Sequence, residues 1–318
     1  MTSPTLEFKL NWDLSEHLKG QAVLAQAICF DGSLAVVTTA PELKDLAFGR
    51  TEQPGFATFP ATMAASSYEV TVHLFGPQTE MIKTVSIPGC SSAYPLVQSL
   101  PDNSILLVSS RCRYSDNGPE LNASVYSSEG KLLRQFCLGD GINNVLVTPS
   151  AEIWVGYFDE GVFGNFGWKE PMGAAGLNCF DSEGKISWCY DDPPDGFDYI
   201  ADCYAMTLSG DDLWACYYTD FPVVRIDKSK KITCWHNDTC GASVLATNGR
   251  SVLFYGGYGD KRHDCFVSRL GDSDSVAKPV QYELSLAEGL DQASVLGHGR
   301  NLHAFVDSRW YTLSIDDL

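Results

Sequence analysis

Residues 157–176 read YFDEGVFGNFGWKEPMGAAG, with Phe163, Phe166 and Trp168 spaced by glycines and Asp159 and Glu160 at the base. A second stretch, DDPPDGFDYIAD, carries Asp191, Asp192, Asp195, Asp198 and Asp202. Carboxylates steer a positively charged partner and discourage wrong ones, while aromatic side chains supply most of the affinity at an interface. The two stretches therefore predict an acidic, aromatic rim for a basic partner, a protein above all. The same residues have a second use, in which the rings plug the loop onto the scaffold and the aspartates make turns and caps.

Other chemistry is sparse. His236, Cys240 and His263 are of zinc-ligand type, with Cys234 as a fourth, but the CxHxxxC spacing matches no common zinc module. There is no GxSxG elbow, no phosphate-cradling GxxxxGKS and no HExxH. A formal charge of −18 disfavours nucleic acid and anionic lipid as partners, because both repel an acidic surface. No apolar stretch approaches the roughly 20 residues needed to span a bilayer.

The 11 cysteines are an odd number without a CxxC pair, and several lie in apolar runs, which fits free thiols in a reducing compartment. The first twenty residues lack a basic segment followed by an apolar run; Leu6, Phe8 and Leu10 alternate with polar neighbours, as in a strand. A cytoplasmic, monomeric protein whose mature chain starts at Met1 is expected. Asn122-Ala-Ser and Asn237-Asp-Thr then carry no glycosylation meaning.

The elements that must position these residues are hairpins. An apolar run, a tight polar turn and a second apolar run recur at Ala25–Thr38, Leu96–Ser109, Asn144–Tyr157, Tyr204–Tyr217, Ser243–Gly256 and Ala293–Val306, six segments of equal length that align without gaps. Gly, Asn, Asp and Pro occupy the turn each time. A second strand pair follows each of the first five, and four strands per repeat is the plan of a propeller blade. The sixth repeat ends one strand short, and Leu6–Trp12 can supply it. The fold expected is all-β: a six-bladed β-propeller closed by the N-terminal strand, one domain over residues 1–318. Its blades lie at about 22–88, 93–138, 142–190, 202–235, 241–284, and 291–318 with 5–12. One or two helical turns are expected at 13–20 and at 284–289. The within-blade loops 40–67, 111–122 and 159–175 are long, and such loops on one face of a rigid scaffold collect binding groups.

INNVLVTPSAEIWVGYF and YIADCYAMTLSGDDLWACYYTDFPVVRID resemble the blade pattern of the gluconolactonase, senescence-marker and luciferin-regenerating propeller family. That resemblance implies six blades and an axial divalent cation, commonly calcium, held by a Glu, asparagines and an Asp that doubles as catalytic base. Asn143 matches one asparagine. Asp202 stands one place from the expected aspartate, where Cys203 falls in the gap-free alignment. The glutamate would be sought near Leu24 or Gln292, and neither is acidic. The implied activity is metal-dependent hydrolysis of sugar-type lactones, with Asn143 and Asp202 as metal residues and Asp202 as base. The GDGINNV and WVGYFDEGVFGNFGW stretches also resemble uncharacterised bacterial propeller proteins, which imply no activity. The residues themselves favour a binding module without a cofactor, and the hydrolase is the alternative.

Overall fold

A computed structural model describes residues 3–51, 58–271 and 274–318; residues 52–57 of the first long loop lie outside the described residues. The protein is all-β, with six antiparallel four-stranded blades in a six-bladed β-propeller arrangement. Its strands divide between two compact units, Leu18–Cys189 and Met1–His17 with Tyr190–Leu318. No described helix is long and apolar enough to cross a membrane.

The unit Leu18–Cys189 holds three blades. The first is Ala22–Ile28, Leu34–Thr39, Met63–Phe75 and Met81–Ser92; the second Pro95–Ser99, Ile105–Ser109, Ala123–Tyr126 and Leu132–Phe136; the third Ile142–Val147, Ile153–Tyr157, Leu177–Phe180 and Ile186–Cys189. The second strand of each is flanked on both sides by others and is almost wholly buried, which is why LAVVTT, ILLVS and IWVGY are continuous apolar or small runs rather than alternating ones. Aspartates close the turns: Asp31 and Asp102 each accept from the backbone N–H and the hydroxyl of the serine two residues on.

The other unit holds the fourth blade (Asp202–Ser209, Asp212–Tyr218, Val223–Ile226, Ile232–Trp235), the fifth (Val244–Thr247, Ser251–Tyr255, Cys265–Arg269, Val280–Ser285) and the sixth (Ser294–His298, Asn301–Val306, Arg309–Ser314). The N-terminal segment completes the sixth, as its missing strand requires. It does so with a division of labour that alternation alone did not show. Thr5–Glu7 runs parallel to Val280–Ser285 on the fifth blade, and only Lys9–Asp13 pairs antiparallel with Arg309–Ser314 on the sixth. Phe8 sits at the junction, buried, its N–H donating to the Ser285 carbonyl at 2.9 Å. Residues 14–20 and 286–289 form turns rather than helix, and a 3₁₀ turn follows at Leu290–Gln292. Asp13 accepts from the Ser15 N–H, and Gly20 takes φ 72°, which favours turn over helix.

The register corrects the gap-free alignment of the six hairpins. In the first three blades residues 29–33, 100–104 and 148–152 separate the last paired residues; in the last three it is residues 210–211, 248–251 and 299–300. The later turns are shorter and of even rather than odd length, so every first strand there is displaced by one position. The register shifts at a bulge between Ile142 and Asn144, at Asn143, and the corresponding bulge of the fourth blade falls at Tyr204.

His303, on the second strand of the sixth blade, gives a pH prediction. Its ring is buried, and its Nδ1 accepts from Trp310 Nε1 at 3.0 Å. Burial, with a smaller contribution from His298, pushes the imidazole down to about 3. Below the ordinary value of about 6.5 the unfolded chain takes up a proton that the folded chain refuses, so stability is lost as the pH falls from there towards the folded value. The loss approaches about 1.4 kcal/mol per pH unit. Urea titrations between pH 7 and 4 should show a shallower acid decline for His303→Gln than for the wild type. Parallel declines would show that His303 is not held neutral.

Candidate functional site

The loop following Ile153–Tyr157 begins as a short helix, Asp159–Phe163, and turns back through Gly164 and Gly167. Its glycines are set by close approach. A Cβ on Gly161 would lie 2.4 Å from the Asp140 carbonyl oxygen, and one on Gly167 would lie 2.3 Å from that of Tyr114. The GDGINNV and FDEGVFGNFGW stretches are therefore two sides of one backbone contact.

Beneath the loop lies a buried ion-pair network. Arg111, only 5% exposed, donates from Nε and Nη2 to the two carboxylate oxygens of Asp140 at 2.9 and 3.0 Å, and from Nη2 to Glu160 at 2.5 Å. Asp140 also accepts the Cys112 N–H at 2.8 Å, and Glu160 accepts from Asn165 Nδ2 at 2.8 Å. The guanidinium packs over Phe166 at 4.5 Å and Phe158 at 5.2 Å. Burial alone disfavours its charge, but Asp140 and Glu160 more than offset this and raise its pKa. Such a pair fixes a loop in one arrangement.

The predicted rim residues separate into distinct roles. Phe163 is 71% exposed at the end of the helix, and Asp159 is exposed beside it. Glu160 turns inward onto Arg111. Phe166 is half-buried with φ 44°, its carbonyl accepting the Tyr114 N–H, its ring beneath Arg111 and Arg113. Trp168 is a plug: it is 9% exposed, donates from Nε1 to the Cys112 carbonyl at 2.8 Å and meets Tyr114 edge-on at 5.0 Å. The second use foreseen for these aromatics thus holds for Trp168 and fails for Phe163. Between this loop and the small hairpin Tyr114–Ser115 with Gly118–Pro119 lies a cleft of about 580 Å³, lined by Tyr114, Asp116, Trp168, Lys169 and Glu170.

Asp191, Asp192, Asp195 and Asp198 belong to the other unit, in the segment before the fourth blade, where all four lie at the surface. That segment is anchored by Phe197 stacking on His236 at 4.4 Å and by Tyr217 donating to the Asp198 carbonyl at 2.7 Å. His263 meets Asp291 and Tyr255, each at 2.8 Å. Among the described residues no group of three or more His, Cys, Asp or Glu is gathered as a metal ion needs.

Asn143 and Asp202 belong to different units. With the true register, the position equivalent to Asn143 in the fourth blade is Tyr204, so Asp202 stands two places from it rather than one. Leu24, where a glutamate was sought, is a buried core residue. A hard cation needs about six oxygen ligands, and this donor set does not fit one.

Arg111, Asp140, Tyr114 and Asp116 carry the site and were not singled out in the sequence. The nearest signal was RCRY, two cations opening an otherwise acidic loop.

The YxzG family matches residues 177–249, under a quarter of the chain. No curated protein matches the chain in sequence. Among solved structures, Kluyveromyces lactis Hsv2 is 10% identical with a TM-score of 0.50, covering 90% of this chain and 72% of that one. A catalytically inactive virginiamycin B lyase from Staphylococcus aureus with quinupristin is 14% identical with a TM-score of 0.47, covering 97% and 99%. A chain of a nidogen/laminin complex is 8% identical with a TM-score of 0.44, covering 82% and 80%. At these identities the likeness to Hsv2 concerns the fold alone.

Proposed function

We propose that the chain is a non-catalytic binding module whose loops on the second and third blades receive a basic protein partner. The observation that supports this most is Phe163: a large ring held in water on a helix whose other side is locked by Arg111. An exposed aromatic on a preorganised support loses little entropy on docking and is the type of residue that dominates interfaces. Beside it, the cleft is lined by the exposed ring of Tyr114, which Trp168 backs, by the carboxylates of Asp116 and Glu170 and by Lys169; the ring and the two carboxylates suit a lysine or arginine side chain. Asp159 adds charge that steers the encounter, and Asp191, Asp192, Asp195 and Asp198 of the other unit add to the protein's overall negative charge. The reading takes residues 1–318 as one monomeric domain in a reducing cytoplasm, with Glu160, Phe166 and Trp168 positioning the surface rather than meeting the partner.

The test uses the intact protein as bait in lysate of its host, followed by kinetics on the recovered partner. Phe163→Ala should speed dissociation and weaken binding by about 2 kcal/mol, roughly 30-fold, with unfolding unchanged within about 0.5 kcal/mol. Asp116→Lys with Asp159→Lys should instead slow association and flatten its salt dependence. A partner whose binding ignores both changes docks elsewhere, and the proposal falls.

A further inference from the structure

Cys112 and Cys137 meet beneath this surface. Their sulfurs are 3.7 Å apart, within the unit Leu18–Cys189, on the segments that follow Ile105–Ser109 and Leu132–Phe136. Cys112 is buried and Cys137 half-buried, so a reagent reaches Cys137 first. Cys137 also receives the Gly139 N–H at 3.3 Å. The main chain of Cys112 holds the loop from both sides: its N–H donates to Asp140 and its carbonyl accepts from Trp168, each at 2.8 Å.

We propose that Cys112 and Cys137 form a thiol–disulfide exchange site, in which a small disulfide converts the pair to an intramolecular bond and reseats the loop bearing Trp168 and Phe163. Hydrogen bonding from Cys112 pulls the Cys137 thiol down and pushes Cys112 up, which makes Cys137 the attacking sulfur. Its thiolate attacks one sulfur of a small disulfide RSSR, forming a Cys137–SR bond and expelling RS⁻. Cys112 then loses its proton and attacks Sγ of Cys137, expelling the second RS⁻. Two protein thiols and one RSSR become one protein disulfide and two RSH, with two electrons passing to the small disulfide. Bonding draws the sulfurs from 3.7 Å to about 2.05 Å. A movement of that size next to Cys112 strains its hydrogen bonds to Asp140 and Trp168. The effect on partner binding rests on the function proposed above, whereas the exchange and the loop movement do not.

The experiment treats the reduced full-length protein with oxidised glutathione at neutral pH, traps free thiols with acid and alkylation, and maps linked peptides. The result expected is a 112–137 link without retained glutathione, formed faster than any reaction at the exposed Cys240, and with altered hydrogen exchange across residues 164–170. Cys112→Ser should stall with one glutathione on Cys137, and Cys137→Ser should abolish both products. Stable glutathione on Cys137 in the wild type, or a pair that stays free while Cys240 reacts, overturns the exchange. A link that leaves exchange across 164–170 unchanged overturns the coupling to the loop. None of these readouts involves the partner, so a failed binding test leaves them standing.

Discussion

Replacing Arg111 by methionine should lower the free energy of unfolding by about 3–5 kcal/mol, because it leaves the Asp140 carboxylate buried without its counter-charge. Asp140 is 2% exposed at its side chain and cannot rehydrate, whereas Glu160, at 34%, can partly turn to water. The cost therefore falls mainly on Asp140. Asp140→Asn should cost less, since the amide oxygen can still accept the Cys112 N–H and Arg111 keeps Glu160. A double change, Arg111→Met with Asp140→Leu, should recover part of the loss by removing the stranded charge, though it forfeits that hydrogen bond. Exposed pairs make the control: breaking Arg300–Asp316, whose side chains are 64% and 41% exposed, should cost no more than about 1 kcal/mol. Urea titrations at neutral pH measure all four. An Arg111→Met protein within about 1 kcal/mol of wild type would mean that the network is wet or rearranged.

Removing residues 1–13 should be at least as damaging. It takes the outer strand from the sixth blade and the parallel strand from the fifth, exposing two rows of unpaired backbone groups at once. It also removes Phe8, a member of the core cluster with Tyr255, Leu302 and Tyr311. Phe8→Ala alone should cost about 3–5 kcal/mol through lost burial and the cavity left behind, a fall in Tm on the order of 10 °C. Leu10→Ala, two residues on but 54% exposed, should stay within about 0.5 kcal/mol. Faster hydrogen exchange in Val280–Ser285 and Arg309–Ser314 would place the damage in those edges. An unchanged Tm for the truncated protein would show that the segment adds nothing to either blade.

The blades were legible because their determinants are local. Period-two and continuous apolar runs, with Asp, Asn and Gly at the turns, mark each hairpin within fourteen residues. The change from five-residue turns to shorter, even-length ones was not legible, because equal spacing between hairpins hides a shorter turn behind a displaced strand. Nor was the double use of the N-terminal segment: Leu6, Phe8 and Leu10 alternate alike, yet Phe8 is buried and Leu10 is not, since the strand changes blade at Phe8. In the candidate site the sequence placed the aromatic loop but could not say which rings face water. That is decided by the helix ending at Phe163, the left-handed turn at Phe166 and the Cys112 carbonyl awaiting Trp168. Arg111 and Asp140 lie 29 residues apart, and nothing short of the fold pairs them.

The split N-terminal segment also orders events in time. Asp13 and Arg309 are hydrogen-bonded across 296 residues of chain. On the ribosome, Thr5–Asp13 emerges before the strands it pairs with and finds its partners only after the first four blades can have formed. Closing so long a loop costs entropy before any contact rewards it, which makes this pairing a natural late step of maturation. Until then the fifth and sixth blades present open edges to other nascent chains nearby, and it is at this stage that pairing with a foreign strand competes with closure.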